Sequence, residues 1–295
     1  MDSGRLLAWY RPRRSAYPWR RPRPDPYHVL VSEYMLQQTQ ATRVSLAFRS
    51  FIERFPSVGA LAAASPREVL RAWSGLGYNR RAVSLLEAAR RIVAEHGGRV
   101  PSDPAVLARL PGIGPYTAAA ISSIAFRVPL PAIDTNVRRV VARAVLGAEA
   151  PATRPREIDR AAATWMESSE PGLWNQAVMD LGREVCRPVP RCQSCPIVSA
   201  CAFRRGGLSA DPPAAPKTGR LAEPRFEGSL RQLRGAIVRL LTERSSASLR
   251  SLCSATGKPL TSVAEAVAGL AADGLVQAGP AALAGRPRGH VRVED

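Results

Sequence analysis

Lysine is almost missing from this sequence. Of 42 basic residues in 295, only Lys217 and Lys258 are lysines, which leaves 40 arginines. Chemistry that runs through a lysine amine, such as a Schiff base, therefore has only two residues to draw on. Long apolar runs are missing too. None reaches about 18 residues, so no membrane-spanning helix is expected. The first residues, MDSGRLLAWYRPRRSAYPWR, carry charge throughout and hold no apolar stretch of the secretory kind. The chain is accordingly expected to act in the cytoplasm. No segment alternates convincingly at period two, which argues against a β architecture, and there is no internal repeat. Acidic residues are also sparse: 24 against 42 basic ones give a formal net charge of +18. Such an imbalance points to a polyanionic partner, with nucleic acid first. A compositionally biased genome, rich in Arg, Ala, Pro and Gly codons, would produce part of the same skew.

Residues 27–205 read as short amphipathic helices punctuated by FPSVGA, ASPREV, SGLGYN, HGGRVPSDP and LPGIGPY. An all-α domain is predicted. Residues 206–228 are rich in Pro and Gly and read as a linker. Beyond it, Leu230–Leu241 has helical apolar spacing. Leu249–Ala255 and Val263–Ala272, broken at Thr256 and Gly257, suggest a helix-turn-helix. Leu275–Val293 reads as a two-stranded wing, so residues 229–295 are predicted to form a winged-helix-like module.

Four of the five cysteines, Cys186, Cys192, Cys195 and Cys201, follow a C-x5-C-x2-C-x5-C pattern. In a cytoplasmic protein this is a metal site rather than a disulfide framework. Four thiolates suit a tetrahedral zinc or an iron–sulfur cluster equally well, so spacing leaves the metal open. Cys253 lies apart and reads as a small buried residue.

The segment Leu110-Pro111-Gly112-Ile113-Gly114-Pro115-Tyr116-Thr117 runs into the small-residue helix AAAISSIAF. Two glycines here permit a tight turn whose backbone N–H groups, with the helix N-terminus behind them, can hold a phosphate oxygen without reading sequence. Gly112, Gly114 and Thr117 are the candidate DNA-backbone contacts.

Two carboxyls stand out. Glu33, in DPYHVLVSEYMLQQTQ, shares a helical face with Val29 and Leu36 among apolar neighbours. Burial there would raise its pKa and suit a general acid, although a core glutamate bonded to backbone fits the same pattern. Asp134, in LPAIDTNVRRVVARAVL, falls at the start of a helix. It reads as a plain N-cap or as a fixed anion that stabilises positive charge on a sugar whose glycosidic bond is breaking. One acid and one anion are the division of labour that glycosidic cleavage needs.

Taken together, the segments Pro18–Arg20, Ser32–Gln40, Gly75–Tyr78, Leu110–Ile121, Ile133–Val140, Trp174–Gly182 and the cysteine cluster resemble the adenine DNA glycosylases of the MutY type, within the helix-hairpin-helix glycosylase superfamily. The resemblance covers about residues 5–205. It implies a two-lobed helix-hairpin-helix glycosylase fold with a 4Fe–4S cluster loop. One lobe of six helices would span about residues 23–130; the other would join residues 1–22 to 131–205. It also implies that a target base is flipped from mismatched or oxidised duplex DNA. By position, Glu33 resembles the acid that protonates adenine, and Asp134 the anion facing the oxocarbenium sugar. Tyr116 and Asn136 resemble their neighbours in the pocket, and Gln176 the reader of the adenine edge. Gln38 and Tyr78 resemble wedges into the base stack, with Leu36 and Arg20 as further substrate contacts. A nucleoid-associated monomer is expected.

Related glycosylases that also nick DNA carry a Schiff-base lysine just after the hairpin, where this chain has Tyr116. Base removal without lyase activity is expected. Three departures from the family stand out. The first cysteine interval is five residues rather than six. Thr135 replaces a frequent Gly. Residues 229–295 are too short for the Nudix-like domain that recognises 8-oxoguanine, which leaves guanine or 8-oxoguanine open as the opposite base. Two other readings share features with this one: a T:G or U:G mismatch glycosylase, and a non-enzymatic iron–sulfur DNA-binding protein.

Overall fold

The computed structural model describes residues 3–206 and 226–295. Most of the linker expected at 206–228, with Lys217, lies outside the described residues. In chain order the helices are α1 (Gly4–Tyr10), α2 (Pro26–Leu36), α3 (Ala41–Arg54), α4 (Val58–Ala62), α5 (Pro66–Ala72), α6 (Arg80–His96), α7 (Pro104–Leu107) and α8 (Pro115–Phe126). Next come α9 (Thr135–Val141), α10 (Pro155–Trp165), α11 (Pro171–Glu184) and α12 (Ala202–Arg205). Last come α13 (Leu230–Arg244), α14 (Leu249–Thr256), α15 (Leu260–Ala272) and α16 (Pro280–Leu283). The strands β1 (Ser246–Ser248), β2 (Gln277–Ala278) and β3 (His290–Arg292) all lie near the C-terminus. Up to residue 206 the described chain is helical, as the missing period-two alternation predicts.

Local chemistry sets the helix ends. Prolines at the first helical position open α5, α7, α8, α10 and α11, where a missing N–H costs nothing. Ser65 and Glu68 form a reciprocal capping box at α5, and Gly97 closes α6 in the left-handed conformation.

The chain divides into two compact units. The first comprises Met1–Glu33 and Pro101–Arg220. Its core gathers Leu6, Leu7 and Tyr10 of α1, Val137, Val140 and Val141 of α9, Trp165 of α10 and Trp174, Val178 and Leu181 of α11. Trp165 and Trp174 meet edge to face with ring centroids 5.5 Å apart. The second unit comprises Tyr34–Val100 and Leu221–Asp295. Phe51 packs edge-on against Trp73 inside it, among Phe55, Leu61, Leu85 and Ile92.

The C-terminal residues form a winged helix of α13–β1–α14–α15–β2–β3, with sheet order β1-β3-β2. Both ladders are antiparallel, with Val291 opposite Ala247 and Ala278. The expected two-stranded wing is present. The third strand, Ser246–Ser248, was not legible, because Ser-Ala-Ser is too short and its one apolar residue, Ala247, too small to show a strand pattern. The module packs on α5. Arg67 Nε and Arg71 Nη2 donate to the Thr242 carbonyl at 2.9 and 3.1 Å, and the Arg67 N–H donates to the Glu294 carbonyl at 3.2 Å. Cys253, predicted to be buried, is half-buried.

Candidate active site

The site residues of the first unit come from α2, the hairpin, α9 and α11. Glu33 lies near the end of α2 with 7% of its surface exposed, and Val29 on the same face is 1% exposed. Burial pushes the Glu33 pKa up to about 7; the Arg20 charge pulls it down and the Asp134 charge pushes it further up. Tyr116, half-buried at the start of α8, has a phenol held well above its ordinary pKa by burial, then by the charges of Glu33 and Asp134. Its hydroxyl lies 3.6 Å from Met179 Sδ. These mutual influences put Glu33, Asp134, Tyr116 and Arg20 in one neighbourhood.

Asp134 is the N-cap of α9. Its carboxylate accepts from the Val137 N–H at 2.7 Å and from Asn136 Nδ2 at 3.1 Å. Capping and functional readings thus coexist, because the cap bond leaves a carboxylate at the positive end of the helix. Thr135 is exposed at the first helical position, so the departure from Gly leaves the cap in place. Gln176 is buried on α11, and its Oε1 accepts from the Tyr10 hydroxyl at 3.0 Å, which fixes the amide's orientation. Arg20 makes a paired contact with Asp180, Nη1–Oδ2 at 2.5 Å and Nη2–Oδ1 at 2.9 Å. Burial would lower the Arg20 pKa, but the bond to Asp180 and its charge outweigh this and raise it. Arg20 is thus a buried, permanently charged neighbour of Glu33.

The hairpin has the predicted form. Gly112 takes φ +78°, a conformation open to glycine, and Gly114 caps α8 with no side-chain acceptor for the first-turn amides. Those amides can therefore receive an outside oxygen. The Thr117 side chain is buried, so only its backbone is offered.

Several functional residues went unread in the sequence. Asn175 locks the approach to Asp134: its Oδ1 accepts from the Ala132 N–H at 2.8 Å, and its Nδ2 donates to the Leu130 carbonyl at 3.0 Å. Arg139 donates through Nη2 to Asn136 Oδ1 at 2.9 Å and through Nε to the Cys186 carbonyl at 2.8 Å. A continuous path of bonds runs from Asp134 through Asn136 and Arg139 to the cysteine loop. Gly182 makes it possible, since a Cβ there would stand 2.9 Å from Asn136 Cβ.

Cys186, Cys192, Cys195 and Cys201 line one pocket with Arg143, Leu181 and Phe203. Arg143 stands with Nη1 3.9 Å from Cys186 Sγ, and its backbone carbonyl lies 3.6 Å from Cys201 Sγ. Four soft thiols around a pocket walled by apolar side chains and two arginines, Arg143 and Arg204, are a fitting donor set for a cluster. Among the described residues, no group of three His, Cys, Asp or Glu side chains is gathered to hold a single ion. The short first interval still brings all four thiols to the same pocket.

The remaining predicted residues belong to the second unit. Leu36 is half-buried, Gln38 is exposed, and Tyr78 is 43% exposed. Gln38 and Tyr78 adopt positive φ of 56° and 47° without being glycine. Strain of this kind persists only where surrounding structure imposes it. Here Arg81 imposes it. Buried at 9% exposure, it donates to the carbonyls of Tyr34, Met35, Gln37, Leu76, Gly77 and Tyr78 and to Thr39 Oγ1 at 2.9 Å. One guanidinium thereby ties the 36–39 turn to the 75–78 turn. Burial, with no acid opposite, brings its pKa down to about 10. Arg81→Leu is expected to lower stability by about 3 kcal/mol or more, because the ring of buried carbonyls loses its shared donor. Chemical denaturation beside an Arg81→Lys control checks this, the lysine recovering part of the loss.

This constellation of hairpin, buried acid and capping aspartate is that of a base-excision DNA glycosylase. The model of the HhH-GPD superfamily base excision DNA repair proteins matches residues 31–167. The chain is 45% identical over 240 residues to the adenine DNA glycosylase of Mycolicibacterium smegmatis, covering 81% of this chain and 79% of that one. It is 39% identical over 240 residues to the human adenine DNA glycosylase, covering 73% of this chain and 44% of that one. A thermostable thymine-DNA glycosylase structure superposes with a TM-score of 0.63 at 28% identity, over 69% of this chain and 94% of the other. Endonuclease III bound to DNA superposes at 0.57 and 22% identity, over 70% and 95%, a likeness of fold alone. The chain belongs to the adenine DNA glycosylases. Among the described residues no helix is long and apolar enough to cross a membrane.

Proposed function

We propose that this protein hydrolyses the N-glycosidic bond of adenine mispaired with guanine or 8-oxoguanine in duplex DNA, within residues 1–205, and leaves the sugar–phosphate chain intact. The observation that carries this reading is Glu33: a buried carboxyl with a pKa of about 7, beside the carboxylate of Asp134. An acid poised there can donate a proton to the adenine ring and so make it a leaving group. Asp134 faces the positive charge that then develops on the sugar, and Glu33, once ionised, can orient the attacking water. Gln176, oriented by Tyr10, is suited to read the adenine edge. Gln38 and Tyr78, exposed on constrained turns, are suited to hold the stack open, with Leu36 beside them. The backbone of Gly112, Gly114 and Thr117 receives a phosphate. Arg20 acts here through its charge on Glu33 rather than as a free substrate contact.

Of the two lysines, Lys258 lies in the second unit and Lys217 outside the described residues, and Tyr116 occupies the position after the hairpin. A phenol has no amine nitrogen with which to form an imine, which supports base removal without strand cleavage. A panel of A:G, A:8-oxoguanine, T:G and U:G duplexes, nicked by hot alkali after enzyme treatment, tests the reading. Release is expected only from the adenine duplexes, and borohydride is expected to trap no covalent complex. Cleavage confined to T or U, or a trapped complex, would overturn it.

Cys186, Cys192, Cys195 and Cys201 would hold a 4Fe–4S cluster, which would serve there to fix the loop that Arg139 joins to Asn136. The purified protein is expected to be brown, with visible absorbance and about four irons per chain. A colourless protein containing one zinc would refute the cluster. Cys192→Ser is expected to bleach it and to lower the midpoint of thermal unfolding, because metal binding and loop folding are coupled.

A further inference from the structure

No motif of the glycosylase accounts for the winged helix of residues 229–295. Its wing, residues 279–289, folds back onto the start of α14. The Leu249 N–H donates to the Gly289 carbonyl at 3.0 Å, and the Arg250 N–H donates to the Pro287 carbonyl at 2.9 Å. Those bonds place Arg250 against the two arginines that flank Pro287, namely Arg286 and Arg288. All three are exposed. Among the described residues none of the three pairs with a carboxylate, whereas other arginines of the unit do: Arg67 with Asp295, and Arg80 and Arg234 with Asp273. Three like charges held at one corner without counter-ions repel each other, and a polyanion relieves that repulsion.

Helix α15, which follows the helix-turn-helix bend, sets the kind of contact. Its sequence LTSVAEAVAGLAA contains no Arg, Lys, Asn or Gln, the side chains that make strong bidentate bonds to base edges. Glu265 is exposed on it and would oppose a close phosphate. Strong base readout by this helix is therefore not expected, and contact through the arginine corner carries no sequence preference. The module that carries the corner is anchored to α5 through Arg67 and Arg71. Arg231 of α13 donates to the Tyr78 hydroxyl at 3.3 Å, so the module shares a body with the Gln38 and Tyr78 turns.

We propose that Arg250, Arg286 and Arg288 form a second, sequence-neutral grip on duplex DNA phosphates. This rests on duplex DNA being the substrate. The test is the full chain carrying R250A, R286A and R288A together, with a triple lysine variant beside it. Binding to undamaged and A:G duplexes is measured across a salt series. The alanine variant is expected to flatten the slope of log affinity against log salt by about 2 to 3, since each phosphate contact contributes about 0.9. Affinity should fall about tenfold or more on both duplexes at low salt. The lysine variant should keep the slope. Single-turnover base release at saturating enzyme should be unchanged. An unchanged slope in a variant of normal melting temperature would overturn the proposal, as would a loss confined to the mismatched duplex. Failure of the wild-type protein to release adenine would instead strike the proposed function, since the comparison on undamaged duplex does not depend on it.

Discussion

Glu33→Gln should bind an A:G duplex as the parent does and release the base at least about 100-fold more slowly, because a positioned acid contributes roughly 10²–10⁴ in rate. The amide keeps the shape of the buried side chain and removes only the proton. Single-turnover release in the parent should be flat at acid pH. It should fall about tenfold per pH unit above pH 7, where Glu33 loses its proton. A variant that keeps activity, or a profile flat through pH 8.5, would refute the acid role. The same group predicts a stability effect of fixed sign. Its pKa is raised on folding from 4.5 to about 7, so the native state holds a proton that the unfolded chain has released. Stability is greatest below pH 4.5, declines as pH rises to 7 and is constant beyond. The decline is on the order of 3 kcal/mol at about 1.4 kcal/mol per pH unit. Glu33→Gln should accordingly melt higher than the parent at pH 8 and close to it near pH 4.5. A merely structural glutamate bonded to the backbone would show the opposite, a loss at both.

Asp134→Asn is the second large effect, and it separates two roles that coincide in one side chain. Asn caps helices as well as Asp does, so the bond to the Val137 N–H survives and stability should change by less than about 1 kcal/mol. The negative charge does not survive. Removing a preorganised group that faces developing charge costs about 10²–10³ in rate, and single-turnover release should fall by that factor with binding intact. An Asn variant with parental activity would leave Asp134 as a cap and nothing more. Asp134→Ala should lose both activity and about 1 kcal/mol of stability, which places the cap and the charge on separate axes.

Much of the site was open to reading before any fold was known, because its signals are local. The hairpin needs Gly112 for a positive φ and Pro115 for a helix start, and both needs show in twelve residues. Asp134 at a helix start shows in the run that follows it, and four cysteines within sixteen residues name a metal site. What went unread acts across the chain. Arg20, expected as a substrate contact, pairs with Asp180 over 160 positions, and Arg139 reaches Cys186 over 47. Arg81 is one arginine among 40 in the sequence, and nothing in its neighbours shows that it will gather six carbonyls.

Lysine scarcity illustrates the same boundary. The sequence by itself determined that a covalent amine route had two residues at most, that residues 27–205 would be helical, and that Glu33 and Asp134 were the carboxyls to watch. These follow from residue type and from spacing along the chain. Only tertiary structure decided that Glu33 is desolvated enough to titrate near 7 and that Arg20 is occupied by Asp180. It also decided that the C-terminal module joins the unit of residues 34–100. Desolvation and ion pairing are sums over neighbours in space, and those neighbours are set by the packing of helices that lie far apart in the chain.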